Sequence, residues 1–484
     1  MLALAALVTG VPQADTTAAT AHAHVKPPID FSSAQGKLHA NGVPFIIKGV
    51  TWYGGEGPGD LPEGLAGPSA HNIDHYMQLL ADAKFNAIRL GFNHQAVLEA
   101  KPVLHFDANV EPSLQGKRYV ESLVLIVQAA ARHNILVTLM CGRLTPEDVP
   151  GNGLWYSEKV PEEEVKHSWT QLARGLCGQW NVFAVDLFDE PHGTTWAGTD
   201  RSVNWHAASQ RLGNHIHSLC SHWLIMVQGA RSVSWETGSW YEMTPGENLM
   251  GVHEAPVRLT DMSKLVYTPH VAPPSEHMID AYKASNFPDN MAAVWGRRFG
   301  FVSQLTGQAL VMGRFGGLLA DDHDADFQQA MIGWLSTHQR GYFYDCFNAN
   351  PTSGGLLHKD WSRLRAEKVR LLEQVPGTDV SRCASNSQTT ISISYAPTRS
   401  LTLRRAPCSQ PAAVATFGDA RAHPTLSRAR RGAAAAPRFG GARLPQWHAG
   451  IQSRGRPRLG DRQYDEHHHP LGLHGPLGLV ARRG

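Results

Sequence analysis

The chain of 484 residues contains no run of about 20 apolar residues, the length a membrane-crossing helix needs, so no membrane span is expected. Its six cysteines are too few to build a disulfide scaffold at this length. Cys141 and Cys346 end apolar runs, and Cys177 and Cys220 fall on helical segments; all four are expected to be buried thiols. That leaves Cys383 and Cys408 to pair if the chain is exported. No Asn-x-Ser/Thr sequon is present, so glycosylation gives no information about location. Lysine is absent after Lys368. From Arg399 onward there are 15 Arg and only 4 acids, among Ala, Gly, Pro and His without periodicity. Residues 376–484 therefore read as a low-complexity basic tail that cannot bury a core. Such a tail can hold RNA or acidic polysaccharide by charge alone, but it carries no recognition motif and no nucleic-acid partner is expected.

At the other end, Leu2–Val8 is a short apolar run, followed by Ala19-Thr20-Ala21 and Ala21-His22-Ala23, which resemble small-residue cleavage sites. No basic residue precedes the run. Residues 1–30 are read as a degenerate signal peptide and linker, with a secreted product as the expectation.

Between these ends, short apolar runs alternate with amphipathic helices. The runs are Phe45–Val50, Ala87–Phe92, Ile135–Cys141, Phe183–Phe188, Leu224–Gln228, Leu265–Pro269, Ala309–Met312 and Tyr342–Phe347. Among the helices, Ile73–Lys84 places Ile73, Tyr76, Met77 and Leu80 on one face. Tyr119–His133 does the same with Val120, Leu123, Val124 and Val127, and a later helix with Phe327, Ala330, Met331, Trp334 and Leu335. This 3.6-residue spacing buries one stripe per helix against the strands. Eight strand–helix units over residues 31–375 predict a closed (β/α)8 TIM barrel. The alternative is an open doubly wound sheet, but no Gly-x-Gly-x-x-Gly turn follows any strand.

In a barrel the residues just past each strand line one mouth. Here these are Trp52, Arg89, Gly142, Glu190, Gln228, His270, Arg314 and Asp345. Glu190 follows an apolar strand and enters the turn Pro191-His192-Gly193. Arg314 holds the equivalent place before Phe315-Gly316-Gly317, so a guanidinium stands where a second acid would complete a carboxylate pair.

These segments resemble glycoside hydrolase family 5, the cellulase-type endoglucanases. The motifs are Gly49-Val50-Thr51-Trp52-Tyr53-Gly54, Phe85-Asn86-Ala87-Ile88-Arg89-Leu90, Asp189-Glu190-Pro191-His192-Gly193, Tyr267-Thr268-Pro269-His270, Gly313-Arg314-Phe315-Gly316-Gly317 and Tyr342-Phe343-Tyr344. They occur in order between about Phe31 and Val375. The resemblance implies retaining hydrolysis of β-1,4-linked glucan by two carboxylates roughly 5–5.5 Å apart. It implies no cofactor or metal, and a β-linked glucan or other glycan as partner of a monomeric protein. It puts the acid/base on Glu190 and the nucleophile at Arg314, which cannot attack an anomeric carbon because it has no available lone pair. Arg89 and His270 fall on the family's arginine and histidine. Asp189 replaces an asparagine, Gly142 a histidine, Ala272 a tyrosine, and Asp345 the tryptophan floor of the sugar site. Trp52 and Trp235, with Trp155, Trp196 and Trp240, are the aromatic candidates for stacking on sugar.

Three further expectations follow. A cation in a half-enclosed mouth needs a carboxylate, so Arg314 should pair with Asp345, with Glu190 as competitor. Glu190 can act as an acid only if its surroundings raise its pKa. Glu190 with Asp345 would be the one substitute pair, for an inverting reaction. Besides a hydrolase impaired at Arg314, the sequence is compatible with a non-catalytic glycan-binding pseudoenzyme barrel or with a decayed product that binds nothing.

Overall fold

The computed structural model describes residues 29–149, 151–231 and 243–385. Three short antiparallel strands come first: β1 (Phe31–Ala34), β2 (Lys37–Ala40) and β3 (Val43–Pro44). The barrel strands follow: β4 (Lys48–Trp52), β5 (Ala87–Asn93), β6 (Leu136–Arg143), β7 (Val182–Asp186), β8 (Leu224–Val227) and β9 (Leu265–Tyr267). The last are β10 (Ala309–Leu310), β11 (Met312–Gly316) and β12 (Tyr342–Asp345). All nine are parallel, in the order β10-β9-β8-β7-β6-β5-β4-β12-β11.

The two ends of that order belong to one predicted strand, broken between Leu310 and Met312. β10 pairs back to β9, β11 pairs forward to β12, and a parallel bridge from His270 to Arg314 joins the two sides. The sheet thereby closes into the predicted (β/α)8 barrel, and every predicted run supplies a strand. Buried on both faces, these strands read as near-continuous apolar runs. The first is shifted, from the predicted Phe45–Val50 to Lys48–Trp52, because Phe45 and Ile47 belong to the cluster that closes the barrel's floor.

The helices α1 (Ile73–Asp82), α2 (His94–Glu99), α3 (Tyr119–Arg132), α4 (Glu162–Leu176) and α5 (Trp205–Leu219) wrap the first five strands. Asn72 caps α1 by accepting from His75 N–H at 2.8 Å, and Asn204 caps α5 by accepting from Ala207 N–H at 2.9 Å. The buried face of α1 is the predicted one. In α3 it is turned, with Tyr119, Leu123, Ile126, Val127 and Ala130 innermost and Val120 and Val124 only partly covered. Val120 and Val124 lie beside Gly175 on the neighbouring helix α4, so they belong to a helix–helix contact.

The floor of the barrel is sealed by the N-terminal sheet. Phe31, Leu38 and Phe45 cluster with inward residues at the strand starts, including Ala87, Leu136, Phe183 and Leu224. The rings of Phe31 and Phe183 are 5.0 Å apart. The same cluster takes in Val380 and Cys383, and Thr378 exchanges backbone and hydroxyl hydrogen bonds with Ile46 at 2.9 Å. The predicted tail boundary at 376 is therefore too early, since the chain still packs on the floor through Cys383. Cys408 and the rest of the basic tail lie outside the described residues, as do residues 1–28.

One expectation about cysteine is corrected. Cys177 and Cys220, which end α4 and α5, form a disulfide with their Cα atoms 5.8 Å apart. Successive barrel helices run side by side, so their last residues meet although 43 positions separate them. Cys141 and Cys346 are buried thiols as expected. Among the described residues no helix is long and apolar enough to cross a membrane.

Candidate active site

Strand alternation decides which side chains enter the mouth. Thr51 is in register with Arg89, and Trp52 with Leu90, so Arg89 points into the barrel while Trp52 faces the helices. Trp52 is accordingly fully buried, packs on Tyr76 of α1 and on Phe347, and donates Nε1–H to the Glu63 carbonyl at 3.0 Å. It is a core residue, and the expectation that it binds sugar is corrected. The next residue, Tyr53, has the inward parity; burial and the nearby Asp345 and Asp189 raise its phenol pKa well above the usual range. Trp155 and Trp196 are also core residues, bonded to the Glu162 carboxylate at 2.9 Å and the Ala255 carbonyl at 2.8 Å. Trp235 and Trp240 lie outside the described residues.

Arg89 is held at the bottom of the mouth. Its Nε and Nη2 donate to Asp186 Oδ2 at 3.0 and 2.8 Å, and Nη2 also reaches Asp189 Oδ1 at 2.6 Å. Burial opposes its charge, but the two carboxylates outweigh that and raise its pKa. Asp186 was not foreseen as a site residue. An acid inside the otherwise apolar strand Val182–Asp186 was the available signal, since a buried carboxylate requires a partner. Gln228 completes the layer: Nε2–H bonds Asp186 Oδ2 at 2.9 Å, and Oε1 accepts the Glu190 N–H at 2.8 Å.

Glu190 sits above this layer in the left-handed backbone region, with φ of 49°. That conformation is uncommon for a residue with a side chain. Its Oε1 accepts from Arg314 Nη1 at 2.9 Å and from His270 Nδ1 at 3.2 Å. A carboxylate only accepts, so the His270 proton is on Nδ1. Burial would raise the Glu190 pKa, but Arg314 and then His270 more than reverse it, leaving the group at about 2. A general acid needs the opposite shift. The condition set for Glu190 to act as an acid, surroundings that raise its pKa, is not met.

Arg314 is the hub of the mouth. Its Nε donates to Asp345 Oδ2 at 2.6 Å, Nη1 to Glu190 as above, and Nη2 to Glu276 Oε2 at 2.6 Å. The predicted pair with Asp345 is present, and so is the competing pair with Glu190, each taking a different nitrogen of one guanidinium. Glu276 was missed; it lies in the loop after β9, where no periodicity marks it. The guanidinium occupies the space between Glu190 and Asp345, where a substitute pair would have to place its water.

Gly142 is the penultimate residue of β6, and the volume above it is taken by Glu56. A Cβ built on Gly142 would lie 2.7 Å from Glu56 Cγ, and one on Gly91 would strike Glu56 Oε2. Glu56 is buried, which raises its pKa, although its carboxylate accepts the Gly54 N–H at 3.0 Å. Ala272 is buried, its carbonyl accepting from the Tyr282 hydroxyl at 2.9 Å. Beside this cluster opens a cleft of about 480 Å³, walled by Gly142, Arg143, Asp189, Glu190, Thr244 and His277 among others. Among the described residues no Trp, Tyr or Phe lines it.

A parallel (β/α)8 barrel with carboxylates, arginine and histidine gathered at the strand ends defines the class: a barrel of enzyme descent with its site at the carboxyl face. Residues 38–351 match the profile of Cellulase (glycosyl hydrolase family 5). The chain belongs to that family. It is 27% identical over 362 residues to an endoglucanase of Paenibacillus polymyxa, covering 72% of this chain and 88% of that protein. It is 28% identical over 346 residues to the major extracellular endoglucanase of Xanthomonas campestris pv. campestris, covering 69% and 68%. Among solved structures it resembles an endocellulase of Pyrococcus horikoshii in complex with cellotetraose. The TM-score is 0.66 at 28% identity, over 72% of this chain and 99% of that one.

Proposed function

We propose that this cellulase-family barrel no longer hydrolyses β-glucan by the retaining route, and that its mouth retains glycan binding. The observation that carries this is the Arg314 guanidinium, bonded at once to Glu190, Asp345 and Glu276. At the position where the family resemblance calls for a nucleophile it offers no lone pair, and its charge opposes the oxocarbenium-like transition state. It also holds the one retained acid ionised, so both halves of the double displacement lose their reagent.

Support for a remaining glycan site comes from the cleft beside Glu190 and from the endocellulase structure with bound cellotetraose. We take β-linked glucan as the ligand and a single chain as the binding unit. Export is the matching location, supported by the Cys177–Cys220 disulfide and by the extracellular relative.

The test is to assay release of the leaving group from an activated aryl β-cellobioside and, on the same preparation, cellotetraose binding by calorimetry. The expected result is saturable binding with no release above that of the Glu190→Gln variant. Release that disappears in Glu190→Gln would overturn the proposal in favour of an unorthodox hydrolase. Folded protein with neither binding nor release would leave only the decayed product.

A further inference from the structure

The face of the barrel opposite the mouth carries a group that hydrolysis does not use. Cys177 ends α4, Cys220 ends α5, and His222 stands in the turn that enters β8. Both ring nitrogens of His222 are 3.6 Å from Cys220 Sγ, and Nδ1 is 4.0 Å from Cys177 Sγ. The two sulfurs and one ring nitrogen all lie within 4.8 Å of one another, and among the described residues no other Cys, His, Asp or Glu group is gathered in this way.

We propose that this cluster is a redox-gated metal site, a disulfide when oxidised and a ligand set for a zinc-class divalent ion when reduced. A disulfide needs no imidazole, and the presence of one beside both sulfurs is the observation that points to a ligand. Two thiolates and one imidazole, with a fourth position left to water, form a donor set that zinc accepts. Zinc–sulfur bonds of ~2.3 Å and zinc–nitrogen bonds of ~2.0–2.1 Å put tetrahedral ligand atoms roughly 3.5–3.8 Å apart. The histidine contacts are already near that separation. Only the sulfurs must part, and the Cα spacing of 5.8 Å allows this with side-chain rotation.

The chemistry balances with a dithiol as reductant. Its two electrons and two protons convert the disulfide to two thiols, and the dithiol becomes a disulfide. Metal binding then releases the two thiol protons to solvent, while a neutral imidazole nitrogen supplies the third lone pair. The site would tie α4 to α5 before oxidation, and the disulfide would do so afterwards.

Cobalt(II) is the probe, added to full-length chain carrying His467→Ala, His468→Ala and His469→Ala so that the tail histidines do not compete. After reduction with a phosphine, one equivalent should produce tetrahedral d–d bands and a thiolate-to-cobalt charge-transfer band. Both should be absent from the oxidised chain and displaced by zinc. Cys177→Ser should abolish them, and His222→Ala should weaken binding at least about tenfold while still forming the disulfide. No bands in the reduced chain, or unchanged affinity in His222→Ala, would overturn the proposal. If reduction unfolds the chain, zinc added together with the reductant should preserve the far-ultraviolet circular dichroism; unfolding in its presence overturns the proposal equally.

Discussion

Replacing Arg314 by glutamate tests the proposal that the guanidinium silences the mouth. With Glu190 held at about 2, only about one molecule in 10⁴ carries the catalytic proton at pH 6. The Arg314 charge is the largest single influence that holds it there; without Arg314, burial acts against His270 alone, and a new carboxylate adds repulsion. If the acid rises toward ~6, as a glycosidase general acid does, its protonated fraction grows by about 10³–10⁴. The same substitution supplies a nucleophile, so aryl β-cellobioside cleavage should rise at least ~10³-fold, with a bell-shaped pH profile. The gain comes with a stability cost. Glu190, Asp345 and Glu276 lose their shared cation and face a fourth acid, which is worth about 3–5 kcal/mol of destabilisation. Activity should therefore be read on the folded fraction, with Arg314→Glu/Asp345→Asn as the relieved form. A folded double variant that binds cellotetraose yet cleaves no faster than the parent would refute this reasoning.

Glu190 titrates at about 2 in the fold against an ordinary 4.5, so its pairing stabilises the protein above pH 4.5 and is lost as pH falls toward 2. Glu190→Gln should flatten the fall of Tm across that window by an amount equivalent to about 3 kcal/mol at most. Lys368 is the reverse case: burial lowers it to about 8 from 10.5 while it donates to the Gly317 and Gly354 carbonyls and the Tyr344 hydroxyl. Between pH 8 and 10.5 the unfolded chain keeps a proton that the folded one releases, so stability should rise with pH there; in urea unfolding, Lys368→Met should lose that rise. Leaving those acceptors bare should also cost about 2–4 kcal/mol at pH 7. Gly142→Ala should cost about 1–3 kcal/mol by crowding Glu56, and a double-mutant cycle with Glu56→Ala should recover at least ~1 kcal/mol of it.

The parts of this structure legible in the sequence are those set by period and by charge. The α1 stripe and all eight barrel strands follow from spacing, because a half-buried helix and a doubly buried strand each impose their own pattern. The Arg314–Asp345 pair follows from adjacency and from the cost of an unpartnered cation. What escaped depends on one-residue parity or on loops. Trp52 and Tyr53 are neighbours, and only the register of Thr51 with Arg89 shows which of them faces the mouth. Glu276 comes from an aperiodic loop, and Glu56 reaches over two glycines from the turn after β4. The Cys177–Cys220 bridge required knowing that the ends of successive helices meet, which each cysteine considered alone does not reveal.

Relative to the pattern the family resemblance implies, the mouth differs in charge at Arg314 and in space above Gly142, and the two differences predict different kinetics. Asp186 and Asp189 already claim Arg89, so that arginine cannot neutralise Glu190 or Asp345 as well. Arg314 is thus the only arginine bonded to the upper three acids among the described residues, and exchanging it changes their charge state directly. That exchange leaves Glu56 filling the space above Gly142, and it leaves an acid, though no longer a paired one, at position 345. Contacts that would hold a sugar ring equally in the ground and transition states set KM, whereas the proton and the nucleophile act only in the transition state. A charge repair alone should therefore appear in kcat, with KM left close to the parent's Kd for the same glycan. A variant that gained instead through a lower KM, at unchanged kcat, would place the principal defect in the space around Gly142 and Asp345, with the cation secondary.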